Sequence, residues 1–152
     1  MVLDMPSVAQ AMLQRCLFQR TRAAARAVTR FYDDQLRPTG LRATQANVLA
    51  TVAAKGELSI SALSDELGMD RTTLTRNLRP LEQRGLLVVS PEGPHRIRLV
   101  RLTSLGVTAL GAAAVLWEEA QAALEEHLGE DGVASVRRAT AAITSSASRA
   151  SH

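Results

Sequence analysis

The chain has 152 residues, of which 46% are hydrophobic but only 3% aromatic, with one cysteine and a formal charge of +3. This length fits one domain with a real core, built from Leu, Val and Ala rather than aromatic rings, which favours packed helices over an all-β sandwich. A single cysteine excludes an intrachain disulfide and a cysteine-based metal cluster; without an export signal or an apolar run of about 18 residues, the expected location is the cytoplasm.

Residues 7–37 contain no Gly or Pro and stop at Pro38-Thr39-Gly40, which predicts one long helix ended by a breaker pair. Thr44 can then cap a helix carrying Val48, Leu49 and Val52, closed by Lys55-Gly56. In "SISALSDELG", Ser59 or Ser61 can cap a shorter helix whose Ile60, Leu63 and Leu67 share a face, and Gly68 supplies the left-handed residue that ends it.

Asp70 stands where the next helix needs its N-cap, and Leu74, Leu78 and Leu81 recur at spacings of four and three, so they point into one core. At about 100° per residue, Thr72, Arg76, Arg79 and Gln83 fall opposite the leucines, with Thr73 and Thr75 on the flanks. A helix, a glycine turn and a second helix with a face of donors is the form of a helix-turn-helix. Pro80 lies inside that second helix, where a proline typically costs about 3 kcal/mol; the expectation is a bend after Arg76, or else a helix that ends there, with its first two turns intact in either case.

Beyond Gly85, "LLVVS" and "RIRLVRL" read as strands joined by the turn "PEGPH", a hairpin that packs beside the helices as a wing with His95, Arg96 and Arg98 near its tip. Thr103 opens a last long helix with Leu110, Ala113, Trp117, Ala120, Leu124 and Leu128 along one side; Gly129 ends it, and an Ala-rich helix over 131–147 completes the chain. The expected class is therefore mainly α (α+β): an N-terminal helix (1–40), a winged helix-turn-helix lobe (41–102) and C-terminal helices (103–152). The apolar stripes of the flanking helices outrun what the middle lobe can cover, and a second copy of the chain is the simplest cover.

Charge is unevenly placed. Arg71, Arg76, Arg79, Arg84, Arg96, Arg98 and Arg101 face only Glu82 and Glu92 over 71–101, whereas 118–131 carries acids and no Lys or Arg. The first region suits phosphate and the forked hydrogen bonding that guanidinium offers to guanine. A coding bias toward Ala and Arg accounts equally well for the arginines elsewhere. His95, His127 and His152 are scattered and form no catalytic or metal-binding spacing, so an enzyme is not expected and no cofactor is implied. A winged helix serving only as a protein-interaction module would need an apolar outer face on 71–84.

The combination of "ARAVTRFYDDQLRPTGLRATQANVL", "LSDELGMDRTTLTRNLRPLEQRGLL" and "RLVRLTSLG" resembles the MarR family of bacterial transcription regulators over roughly residues 10–128. The resemblance implies a homodimer on a pseudo-palindromic operator in double-stranded DNA, with base readers among Arg71, Thr72, Thr73, Thr75 and Arg76. It implies phosphate contacts from Thr44, Ser61, Asn77 and Arg79, and wings that place Arg96 and Arg98 at the minor groove. Capping support is the alternative role for Thr72 and Thr73. The wing departs from the family's D-x-R segment: Pro94 stands for the acid that braces the arginine, here Arg96, leaving Glu92 as a substitute.

Family members often bind small aromatic or phenolic carboxylates between the dimerisation helices and the DNA-binding lobe, usually as repressors relieved by the ligand. Arg22, Arg26, Tyr32 and Trp117 are the residues this brings forward, against a plain packing or surface role for each. One branch of the family senses hydroperoxides with a cysteine on the first helix. That cysteine aligns with Phe18 and its tyrosine partner near Arg22, so Cys16 is displaced by two residues, about 200° around a helix; Arg15 and Arg20 can activate it, and a buried inert thiol is the alternative.

Overall fold

The computed structural model describes residues 4–91, 93 and 97–150. It is mainly helical with one small antiparallel sheet. In chain order the elements are α1 (Met5–Arg15), α2 (Leu17–Leu36), a 3-10 turn (Arg37–Thr39), α3 (Ala43–Lys55), β1 (Leu58–Ser59), α4 (Ile60–Leu67), α5 (Arg71–Gln83), β2 (Leu87–Val89), β3 (Leu99–Leu102) and α6 (Ser104–Ala150).

One core joins these elements. Leu36 from α2, Val48, Leu49 and Val52 from α3, Leu63 from α4, Leu74, Leu78 and Leu81 from α5, Leu87 and Val100 from the sheet and Ala113 from α6 form a single buried cluster. No aromatic side chain belongs to it, as the composition implied, and each leucine taken out of water contributes about 1.5–3 kcal/mol.

The N-terminal helix differs from expectation. The chain leaves helical geometry at Cys16 (φ −71°, ψ 105°) and restarts at Leu17, so two helices stand where one was predicted. No Gly or Pro marks the break. The reason lies in packing: α2 leans on α6 and α3, whereas α1 buries none of its residues, so nothing holds the two segments to a common axis.

The predicted hairpin is present, with Leu87 opposite Leu102, Val88 opposite Arg101 and Val89 opposite Val100. Leu87 and Val89 face the core and Val88 faces out, the period of two that a half-buried strand requires. A third strand, β1, was not foreseen; it pairs with the far side of β3 through Leu58–Val100 and Ser59–Leu99, giving the order β1-β3-β2.

Thr103 caps α6 as expected, its Oγ1 accepting from the Gly106 amide at 3.0 Å and donating to the Gly85 carbonyl at 2.6 Å. This draws the first turn of α6 against the start of β2. A β-carbon on Gly106 would lie 1.9 Å from the Leu86 carbonyl oxygen, so the approach requires glycine. At the other end of α6, Gly129 (φ 67°, ψ 168°) interrupts the helix where the sequence placed a break, and helix then resumes through Ala150, past the expected end at 147. Arg137 Nη2 lies 3.5 Å from Glu125 Oε1. In a continuous helix those residues would be about 18 Å apart along the axis, so the chain folds back at Gly129. No helix among the described residues is long and apolar enough to cross a membrane.

Two glycines of α6 should respond oppositely to alanine. Gly106→Ala forces backbone to move and should destabilise the protein by about 3 kcal/mol. At Gly111, where nothing lies within 4 Å of the added methyl, alanine should stabilise by about 0.5–1 kcal/mol. Urea denaturation of both variants checks the pair.

Candidate nucleic-acid interface

The α4–turn–α5 unit is built from local polar bonds. Ser59 caps α4, accepting from the Ala62 amide at 3.1 Å, and Gly68 ends it in the left-handed region (φ 60°, ψ 32°). The buried Ser64 hydroxyl donates to the Met69 carbonyl, fixing the turn. Asp70 then caps α5: Oδ1 accepts from the Thr73 amide at 2.8 Å and Oδ2 from the Thr73 hydroxyl at 2.6 Å. The Thr73 hydroxyl, followed by the Thr73 amide, holds the Asp70 carboxyl below its ordinary value of 3.8.

From that start the leucines set the rotation of α5. Leu74, Leu78 and Leu81 are buried, and Arg71, Thr72, Thr73, Thr75, Arg76, Arg79 and Gln83 are exposed together on the opposite side. Among the described residues no hydrogen bond or ion pair engages the guanidinium groups of Arg71, Arg76 or Arg79. Their charge is therefore free for a ligand. The threonines differ from one another: Thr73 supports the cap, Thr75 donates back to the Arg71 carbonyl at 2.7 Å, and only Thr72 of the three has no such bond within the described residues. Ser61 is exposed on the first turn of α4.

α5 runs through Pro80 to Gln83, which overturns the alternative that the helix ends there. Pro80 brings no amide hydrogen to the Arg76 carbonyl, yet its own carbonyl accepts from Arg84 N at 3.1 Å and the helix is kept. Arg84, counted in the sequence only as part of a basic stretch, does a different task. Its guanidinium donates to the carbonyls of Gly40 (2.8 Å) and Thr39 (3.3 Å), tying the end of α5 to the turn after α2.

Thr44 does not cap α3. The N-cap is Arg42, whose amide donates to Gln45 Oε1 at 3.0 Å, and the Asp33 carboxylate of α2 accepts from the Ala43 amide at 2.7 Å. A carboxylate suits the positive end of a helix better than a hydroxyl. Thr44 is thereby released to donate to Asn77 Oδ1 on α5 at 3.0 Å, while Asn77 Nδ2 donates to the Thr73 carbonyl at 2.9 Å. Nothing local in the sequence signals that pairing across two helices.

In the wing, Gly93 N bonds the Ile97 carbonyl at 2.9 Å, and the exposed Arg98 donates from Nε to the Ser90 carbonyl at 3.2 Å. Arg96, with Glu92, Pro94 and His95, lies outside the described residues.

A cleft of about 570 Å³ opens between α2, α3 and α6, lined by Val28, Tyr32, Leu36, Thr44, Asn47 and Trp117 among others. It brings together Tyr32 and Trp117 of the four residues singled out, and neither Arg22 nor Arg26. Arg22 instead lies over the Phe18 ring, 5.2 Å from its centroid. The Tyr32 hydroxyl donates to Gln121 Oε1, and Gln121 Nε2 donates to Glu125 at 2.7 Å. Burial, then the nearby Glu125 charge, raises the Tyr32 hydroxyl above its ordinary value of 10.0. Cys16 is half-buried at the α1–α2 junction, and the chain offers no second thiol.

The MarR family model matches residues 39–97. The chain is similar over 90% of its length to 98% of the M. tuberculosis transcriptional regulator MosR in complex with DNA, at 35% identity and a TM-score of 0.80. It is also similar to the transcriptional repressor CouR bound to p-coumaroyl-CoA, at 26% identity and a TM-score of 0.76, over 88% of this chain and 94% of that one. A mutant MarR from E. coli complexed with operator DNA shares the fold at 23% identity, with a TM-score of 0.75 over 87% and 96% of the two chains. No curated protein matches by sequence.

The Asp70 cap carries a pH dependence. A carboxylate whose folded pKa is depressed stabilises the fold above the unfolded value, and that contribution is lost as pH falls through the folded pKa. Asp70→Ala should therefore melt below the wild type at pH 7, and the difference should shrink as pH is taken below 3.8. Thermal melts followed by circular dichroism at both pH values measure it.

Proposed function

The chain belongs to the MarR family of DNA-binding transcriptional regulators, and from that premise we propose that it is a homodimeric, sequence-specific repressor, not an enzyme, that acts in the cytoplasm and is relieved by a small aromatic ligand. The observation that carries the DNA reading is the exposed face of α5, where three unpaired guanidiniums and the threonines converge opposite the buried leucines. No large hydrophobic side chain of residues 71–84 is exposed, which weighs against use of this face as a protein-docking surface.

In this reading the lobe over 41–102 binds DNA, and the segments 1–40 and 103–152 join two copies. Arg71, Thr72, Thr75 and Arg76, with Thr73 beside them, enter the major groove: a guanidinium there can fork onto guanine O6 and N7, and a threonine methyl can meet the thymine methyl. Arg79, Asn77 and Ser61 hold phosphates, and Arg98 and Arg96 approach the minor groove from the wing. The exposed Met12, Leu13, Leu17, Phe18, Val136 and Ile143 on α1, α2 and α6 supply the apolar surface a second copy would cover. The cleft with Tyr32 and Trp117 holds the effector, and the neighbouring repressor bound to an aromatic thioester supports that use.

Selection from a random duplex library should enrich an inverted repeat with half-sites about 10 base pairs apart; no enrichment at any salt concentration would overturn the reading. On the selected duplex, Arg76→Ala should cost about 1–3 kcal/mol and leave binding to random DNA nearly unchanged. Arg79→Ala should weaken both and reduce the salt slope by about 1 per binding site lost. Equal losses on both DNAs for Arg76→Ala would remove it from the base readers.

A further inference from the structure

The cleft and α5 share one side chain. Thr44 lines the cleft, and its hydroxyl donates to Asn77 Oδ1 at 3.0 Å. The orientation of the Asn77 amide is fixed: Nδ2 must face the Thr73 carbonyl, which can only accept, so Oδ1 faces Thr44. From Thr73 the bonds run on to the Asp70 cap. A continuous set of hydrogen bonds thus leads from the cleft wall to the first turn of α5.

A hydroxyl has one proton to donate. A cleft ligand that offers an acceptor to Thr44 therefore competes with Asn77 for it. The lining also selects charge. Its side chains include no Arg, Lys or His; its polar members are Thr29, Tyr32, Thr44, Asn47 and Trp117, and the Glu125 carboxylate lies beyond Gln121 on the Tyr32 side. A carboxylate entering here would lose water without gaining a cation.

Resting on the effector reading above, we propose that Thr44 is the positioning residue that couples the cleft to α5: an uncharged aromatic ligand bearing a hydrogen-bond acceptor takes the Thr44 hydroxyl from Asn77 and frees the middle of the recognition helix. This departs from the carboxylate ligands that the family resemblance implied. With the bond broken, Asn77 Oδ1 turns to solvent, and α5 keeps its leucine packing and the Arg84 tether at its far end. The helix can then tilt about that end.

Trp117 is the chain's one tryptophan and lines the cleft, so its fluorescence reports occupancy separately from DNA binding. The matched probes are biphenyl-4-ol, neutral at pH 7, and biphenyl-4-carboxylate. In the wild type, biphenyl-4-ol should change the fluorescence saturably and raise the Kd for the selected duplex by about 5-fold or more, within the usual range of allosteric coupling. The carboxylate should need at least about tenfold higher concentration for the same signal, the penalty of an unpaired charge. Thr44→Ser keeps the proton and should respond as the wild type does. Thr44→Val keeps the shape and should still bind biphenyl-4-ol, but its DNA affinity, already that of the liganded wild type, should no longer respond; Asn77→Ala removes the acceptor and should lose the response too, which covers a valine variant that fails to fold. A full DNA response in Thr44→Val or Asn77→Ala would overturn the coupling and leave the effector reading standing. Equal binding of the two probes would overturn the assigned ligand class. A DNA response without a Trp117 change would place the effector elsewhere and overturn the proposal, and neither signal with either probe would remove the effector reading with it.

Discussion

The burial of Leu74, Leu78 and Leu81 is the constraint from which the rest of the structure follows. A helix of 13 residues can turn only one face inward, and these three are at most 3% exposed. Turning α5 by one residue, about 100°, would bring a leucine into water at about 1.5–3 kcal/mol each and press a guanidinium into an apolar core with no acid to meet it. The polar face is thus fixed by what lies beneath it. Its arginines are exposed because the leucines cannot be.

Rotation alone does not fix where the helix lies along its own length or how it tilts. Polar bonds from other elements do. Asp70 and the buried Ser64 set the start of α5, the Thr44–Asn77 bond holds its middle to α3, and Arg84 fastens its end to the carbonyls after α2. Two of these anchors come from the helices that wall the cleft. Whatever shifts α2 against α3 must reach α5 through them, which makes the pose of the helix a property of the whole lobe.

What could be read in the sequence was what the chain decides locally. Leucine spacing, Asp70 at a cap, Gly68 and Gly129 at turns, Thr103 before a helix and the Pro/Gly-marked hairpin each carry their reason within a few residues. What escaped was decided from a distance. Cys16 sits in helix-compatible sequence, and only the lack of packing around α1 allows the break. β1 is two residues long and exists because β3 offers an edge. Asp33 displaces Thr44 from its cap across the 3-10 turn, and the need for glycine at 106 comes from a carbonyl on another element. Within the cleft, Tyr32 and Trp117 were recognisable as aromatic rings on facing helices. Arg26 stands two residues from Val28, about 200° round α2, and Arg22 lies about 9 Å further along the axis than the nearest wall residue, so charge alone misled.

Gly129 also decides how far the molecule extends. A compact domain of this length has a radius of gyration of about 15 Å, whereas α6 drawn out straight over its 47 residues would form a rod of about 70 Å. A backbone with φ at 67° and ψ at 168° is open to glycine and closed to residues with a β-carbon. The absence of that one atom gives the helix an elbow, and the elbow returns the C-terminal segment to its own chain, where Arg137 can find Glu125. The span of the protein is set by stereochemistry at a single position rather than by the number of residues that follow it.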